Sequence, residues 1–300
     1  RVNGLRPLVE RLVTRLLDAA DARGGAPADL VEDFASPLAL SVICVLLGVP
    51  EEDREQFRTW VRQFATVSGP PEEAVEGREK LGAYISGLVA AKQEAPGDDV
   101  LSALIAARAG ADRLSFEELV GLGYTLLGAG YDSTAGQIAN FVLTLLAHHP
   151  EQWRHLADHP QDVPAAVEEL LRYVNLNATD TSGLPRIATE DVLVGGARIP
   201  AGEAVFLAFA SANRDEAVFP DADRLDFART GNGHLAFGHG IHNCLGAPLA
   251  RIELTVALRE LTRRYPATRL AVPEDELPWR VGDVNHSLLA LPVHLAAAPS

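Results

Sequence analysis

The stretch Phe237-Gly238-His239-Gly240-Ile241-His242-Asn243-Cys244-Leu245-Gly246 decides how the rest of the chain is read. Three glycines and a cysteine crowd into ten residues, and a helical pattern follows from about Pro248 to Tyr265, ended by Pro266. Glycine lets a backbone turn through positive φ and approach a flat ligand closely. A cysteine just before a helix meets the positive end of the dipole and unpaired N–H groups, which favour thiolate. Three readings are open on these residues. The loop is a tight turn with an incidental cysteine, or a zinc site of His239, His242 and Cys244, or a thiolate ligand beneath the metal of a flat macrocycle. No fourth zinc ligand is obvious nearby, and the tight spacing suits a loop under a flat ring better.

Two motifs lie upstream. Glu169-Leu170-Leu171-Arg172 puts an acid and a base on one helix face. Alone it is a weak signal, because such pairs are mostly solvated. Ala129-Gly130-Tyr131-Asp132-Ser133-Thr134 places an acid and two hydroxyls in mid-helix, where burial is costly unless the groups are satisfied or used. A helix kink with capped polar groups explains it equally well.

Around these motifs the chain reads as mainly helical. Leu8, Val9, Leu12, Val13, Leu16, Leu17 and Ala20 recur at helical spacing after Pro7. Leu30 to Val49 reads as one buried helix, with Cys44 as a small core residue. Glu51–Val67 and Glu72–Lys92 follow, split by Ser68-Gly69-Pro70-Pro71, a turn or a lid hinge. Ser115 and Glu118 form a capping box, with Leu114 and Leu119 as a hydrophobic staple. The helix they open runs to about Ala147, roughly 45–50 Å, and is apolar nearly all round, hence buried. Pro164–Tyr173 is a further helix. Strands are expected at Val192–Val194 and Val205–Leu207, before an irregular stretch from Asn213 to Gly233. The expectation is one domain over residues 1–300, mainly α with a small β component.

Composition narrows the function classes. The chain is 47% hydrophobic with a net charge of −15, which disfavours a nonspecific grip on nucleic acid or an anionic membrane. Two cysteines are too few for a disulfide framework and point to a reducing, cytoplasmic setting. The longest apolar run, Leu38 to Val49, is about a dozen residues against the ~20 that span a bilayer. The chain opens on Arg1 and holds no Met, so it is expected to be a trimmed or partial chain.

The cysteine loop resembles the cytochrome P-450 signature Phe-Gly-x-Gly-x-His-x-Cys-x-Gly, position for position. The resemblance extends in order over essentially the whole chain and implies a bacterial, soluble-type P-450 fold lacking its N-terminal strands and helices. It implies heme b as cofactor, with Cys244 as iron ligand, Phe237 beside it, Gly238 and Gly246 shaping the loop, and His242 and Arg186 on the propionates. Ala129 and Gly130 would border the distal face. Asp132 and Ser133 would relay protons, Ser133 standing where the family usually has Thr, with Thr134 as a partial substitute. Glu169, Arg172 and Arg224 would form a structural triad, Arg224 falling in Phe219-Pro220-Asp221-Ala222-Asp223-Arg224. Thr125, Gly128, Ser182, Gly183, Leu184, Val284 and Asn285 would line the substrate cavity. Arg251 would face the electron donor, with Arg259, Arg263 and Arg264 extending a basic patch.

The resemblance thus implies a monomeric monooxygenase that uses O2 to hydroxylate or epoxidise a small lipophilic molecule of secondary metabolism. A separate ferredoxin or flavodoxin-type protein would supply electrons. Oxidative coupling of aromatic groups and a non-catalytic heme-binding fragment are the alternatives.

Overall fold

Residues 2–65, 71–107, 114–176, 185–281 and 285–297 are described by a computed structural model. The first apolar repeat folds as α1 (Arg6–Asp21), with proline in its first turn and Val9, Leu12, Val13 and Leu17 buried. The expected helix from Leu30 to Val49 is present from Val31 to Leu47, with its first turn wound more widely than an α-helix. Strand β1 (Ala28–Asp29) leads to this wide turn over Val31–Ala35, and α2 (Ser36–Leu47) continues from it. Asp29 stands just before this helix: its carboxylate accepts the amides of Val31 and Leu291, both at 2.9 Å, which ties this end to the C-terminal sheet. Pro37, lacking an N–H, removes the helical bond that would otherwise reach back into the turn.

Next come α3 (Arg54–Ala65), α4 (Pro71–Glu94) and the short α5 (Val100–Ala106), capped by the Asp99 side chain on the Ser102 amide. Ser68, Gly69 and Pro70, the expected hinge, lie outside the described residues. The long helix is α6 (Phe116–His148), and both halves of the Ser115–Glu118 capping box are made. It is followed by α7 (Pro150–Asp158) and α8 (Val163–Tyr173).

The β component is small. β2 (Arg186–Ile187) pairs with β5 (Ala204–Val205), and β3 (Val192–Val194) pairs with β4 (Ala197–Ile199). Gly195 and Gly196, both at positive φ, turn the second hairpin. Phe206 and Leu207, expected in a strand, lie beyond β5 and stay exposed. A single turn, α9 (Phe209–Ala212), precedes the irregular stretch, and α10 (Ala247–Arg264) follows the cysteine loop. β6 (Arg269–Leu270) and β7 (Pro292–His294) complete a three-stranded antiparallel sheet in the order β1-β7-β6.

α6 organises the molecule, packing on α2, α4, α7 and α10. Its burial changes along its length, unlike the uniform burial expected. Thr134 to Leu143 are all buried, whereas Gly121, Thr125, Gly128 and Ala129 form an exposed stripe at helical spacing on the first half. Among the described residues no helix is long and apolar enough to cross a membrane.

Candidate active site

Cys244 sits at the end of a loop built by backbone bonds. Its amide donates to the Phe237 carbonyl at 2.8 Å, and the Asn243 side chain donates to the Phe237 and Gly238 carbonyls. Gly238 and Gly240 have φ of 67° and 73°, which a side chain would oppose. The cysteine is exposed, as are all residues from His239 to Gly246, including apolar Ile241 (98%) and Leu245 (81%). The incidental-cysteine reading fits Cys44 instead, which is buried on α2 with its thiol pushed up to about 12 by burial. Among the described residues no three His, Cys, Asp or Glu side chains gather as metal ligands, so His239, His242 and Cys244 do not converge on a zinc site.

The loop is anchored to α8 by a buried network. Glu169 and Arg172 form a bidentate pair, both bonds at 2.8 Å, with side chains almost wholly buried. Arg172 also donates to the carbonyls of Asn213 and Ala222. The Asn213 side-chain oxygen then accepts the Leu235 amide at 2.7 Å, two residues before Phe237. Burial alone would push the Glu169 carboxyl up. Hydrogen bonds from Arg172, the Asp226 amide and Arg229 outweigh it and hold the group below its usual range.

The second arginine of this network is Arg229, which corrects the expected triad. Its Nε lies 3.1 Å from Glu169, and it also donates to the carbonyls of Pro220, Asp221 and Arg224. Arg224 contributes only its backbone carbonyl; its side chain is 70% exposed and 3.9 Å from Asp226. The turn over Asp221–Arg224 points that side chain outward, and Asp221 itself holds positive φ there.

On α6, Ser133 donates its hydroxyl to the Ala129 carbonyl at 2.6 Å, and Thr134 is buried. Both oxygens of Asp132 are occupied: Arg280 donates to one and Asn285 to the other, each at 2.9 Å. Arg280 was not anticipated. It belongs to a C-terminal hairpin closed by the Trp279–Leu288 bridge, and that hairpin meets α6 at every fourth residue. At Asp132 the contact is ionic. At Gly136 an added Cβ would come within 2.9 Å of Ser287 Cβ, and at Asn140 the amide donates to the His286 carbonyl at 2.7 Å. Gly130 serves packing too, since a Cβ there would meet Ile43 of α2 at 2.9 Å.

Thr125, Gly128 and Ala129 lie together on the exposed stripe of α6. Arg186 stands on β2 opposite Val205, and His242 is exposed within the cysteine loop. Arg251 on α10 is held by Glu168. Arg263 is paired with Glu260, and Arg264 with Asp18 of α1, so neither presents a free charge to extend a basic patch. Ser182, Gly183, Leu184 and Val284 lie outside the described residues.

Comparison with known proteins agrees with this architecture. The family model for cytochrome P450 matches residues 161–284. The mycinamicin IV hydroxylase/epoxidase of Micromonospora griseorubida is 47% identical over 294 residues, 98% of this chain and 73% of its own length. The nocardicin C N-oxygenase of Nocardia uniformis subsp. tsuyamanensis is 49% identical over the same shares. Among solved structures, the mixed-function P450 MycG superposes with a TM-score of 0.92 at 47% identity, over 98% of this chain and 74% of that one. Fold and site together define a heme-thiolate oxidoreductase class, that of the P450 monooxygenases. The chain belongs to the cytochrome P450 family.

That family implies heme, and the residues present suit it. Cys244 offers an exposed, soft sulfur donor of the kind that iron in a macrocycle accepts. The apolar side chains beside it, Ile241 and Leu245, stand uncovered, as a loop meant to lie against a flat apolar ring requires.

Proposed function

We propose that this chain is a heme-thiolate monooxygenase that hydroxylates or epoxidises a small lipophilic metabolite, with Cys244 as axial ligand to heme b. The observation that carries the reading is an exposed cysteine in a glycine-shaped loop, tied through Phe237 and Asn213 to the buried Glu169–Arg172 pair. Bound heme supplies the electron-transfer and O2 chemistry. The protein supplies position, polarity and protons. Cys244 presents its sulfur, Phe237 receives the Cys244 amide, and Gly238 and Gly246 keep the loop narrow. His242 and Arg186 are the candidates for the propionates.

The exposed stripe of Thr125, Gly128 and Ala129 carries no large side chain, so substrate and O2 find room there, with Asn285 as a further wall residue. Ser182, Gly183, Leu184 and Val284 are assigned to substrate contact by the family resemblance alone. Asp132 holds a proton acceptor at the edge of this stripe. To pass a proton it must release Arg280 or Asn285, and Ser133 must turn its hydroxyl from the Ala129 carbonyl. Thr134 is a second hydroxyl one residue on. Arg251 lies on the face proposed for a ferredoxin or flavodoxin-type donor. The similarity to enzymes acting on mycinamicin IV and nocardicin C supports a secondary metabolite as substrate.

Turnover with a surrogate ferredoxin and reductase tests the reading. Product should gain one oxygen, and Ser133→Ala should divert reducing equivalents from product to peroxide. A product lacking two hydrogens instead points to oxidative coupling, and no turnover by heme-loaded protein points to a non-catalytic heme binder.

A further inference from the structure

Glu168, one residue before the buried Glu169, grips the other side of the cysteine loop. Its two carboxylate oxygens accept a forked pair of bonds from Arg251, Nε at 2.7 Å and Nη2 at 2.9 Å. The guanidinium so held lies over the Phe237 ring, its carbon 4.6 Å from the ring centroid. His234 approaches the same ring with centroids 6.0 Å apart, and its Nε2 is 3.2 Å from Glu168. The His234 Nδ1 accepts the Ala236 amide, which places the ring proton on Nε2, where it donates to Glu168. One carboxylate therefore holds two groups against Phe237, and the Phe237 carbonyl holds the Cys244 amide.

We propose that Glu168 is a positioning residue for the cysteine loop that sets the reduction potential of the iron bound by Cys244, by fixing Arg251 on Phe237 and cancelling its charge. This rests on the reading of Cys244 as the axial ligand. Arg251 feels Cys244 as well as Glu168. Its guanidinium is held more firmly protonated by the Glu168 hydrogen bonds first, and to a lesser degree by the charge of Cys244. A positive charge beside the thiolate favours the state with one more electron, and a negative charge opposes it. With Glu168 in place the two nearly balance. The charges sit at a partly exposed surface, so salt must weaken the effect.

Equilibrium redox titration of the heme-loaded protein, with no electron-transfer partner present, tests this. Glu168→Gln keeps the shape and removes the charge, so the potential should rise. Arg251→Gln should lower it, and the double variant should return close to the unmutated value. Each single change should alter the ferrous-to-ferric ratio at fixed poise by up to about tenfold, or about 59 mV for one electron. Raising ionic strength should shrink both shifts, which a purely steric displacement of the loop would not show. Glu168→Asp retains the charge and should stay near the unmutated potential, and it tests the idea even where Glu168→Gln loses heme. An unchanged potential in Glu168→Gln, or single variants that shift the same way, overturns the proposal. A thiolate-type carbon monoxide band missing from the unmutated protein overturns the Cys244 reading itself, a failure visible before any variant is made.

Discussion

A helix turns through about 100° per residue, so adjacent glutamates on α8 face different partners. Glu169 points into the core and binds Arg172, Arg229 and Asn232; Glu168 points to the cysteine loop and binds Arg251 and His234. The two differ in cost when broken. Arg229→Ala leaves a buried carboxylate short of a partner and should destabilise by about 3–5 kcal/mol, whereas Arg224→Ala should stay within about 0.5 kcal/mol. Chemical denaturation of both variants checks this, and equal effects would restore Arg224 to the triad. Glu168 gives a pH signature. Burial alone would raise its carboxyl, but His234 and Arg251 together bring it down to about 2. Its folded value lies below its unfolded one, so its stabilisation is present above about pH 4.5 and is lost as pH falls toward 2. The melting-temperature gap between unmutated protein and Glu168→Gln should close over that window, and a constant gap would contradict the assignment.

At the scale of elements, α6 is two helices in one. Its first half keeps a small-residue stripe open, and its second half is buried and docked to the C-terminal hairpin through Asp132, Gly136 and Asn140. The two glycines in this region should respond differently to alanine. At Gly136 the obstructing atom is Ser287 Cβ, fixed to its backbone, so Gly136→Ala should cost about 1–3 kcal/mol. At Gly130 it is the tip of Ile43, which can swing aside, and the helix gains up to about 1 kcal/mol from losing glycine. Gly130→Ala should therefore be close to neutral in thermal unfolding, and a loss equal to that of Gly136→Ala would refute the distinction. The helices were legible because apolar spacing and capping residues are local. Among the strands, β3 was legible at its own bounds beside the Gly195-Gly196 turn and β5 only at Val205, while the other two- and three-residue strands were not, because segments so short carry no period. Asp29, which ties the start of the helix leading into α2 to the C-terminal sheet, acts through Leu291 far along the chain.

For the molecule as a whole, the legible and hidden parts of the site divide the same way. Cys244 and its glycines form a contiguous motif, and Glu169 and Arg172 lie one helical turn apart. Arg229, Glu168 and Arg280 acquire their meaning only when distant segments meet, since Arg280 and Asp132 are 148 residues apart in sequence. Of those distant contacts, the ones made by α8 through Glu168 and Arg172 reach the cysteine loop, while Arg280 braces α6. The difference spectrum of reduced protein with and without carbon monoxide tests the reading of Cys244 most directly. A strongly red-shifted Soret band that disappears in Cys244→Ala is the predicted result. A band of the histidine-ligated type, or a red-shifted band that survives in Cys244→Ala, would contradict the assignment of Cys244 as the thiolate ligand.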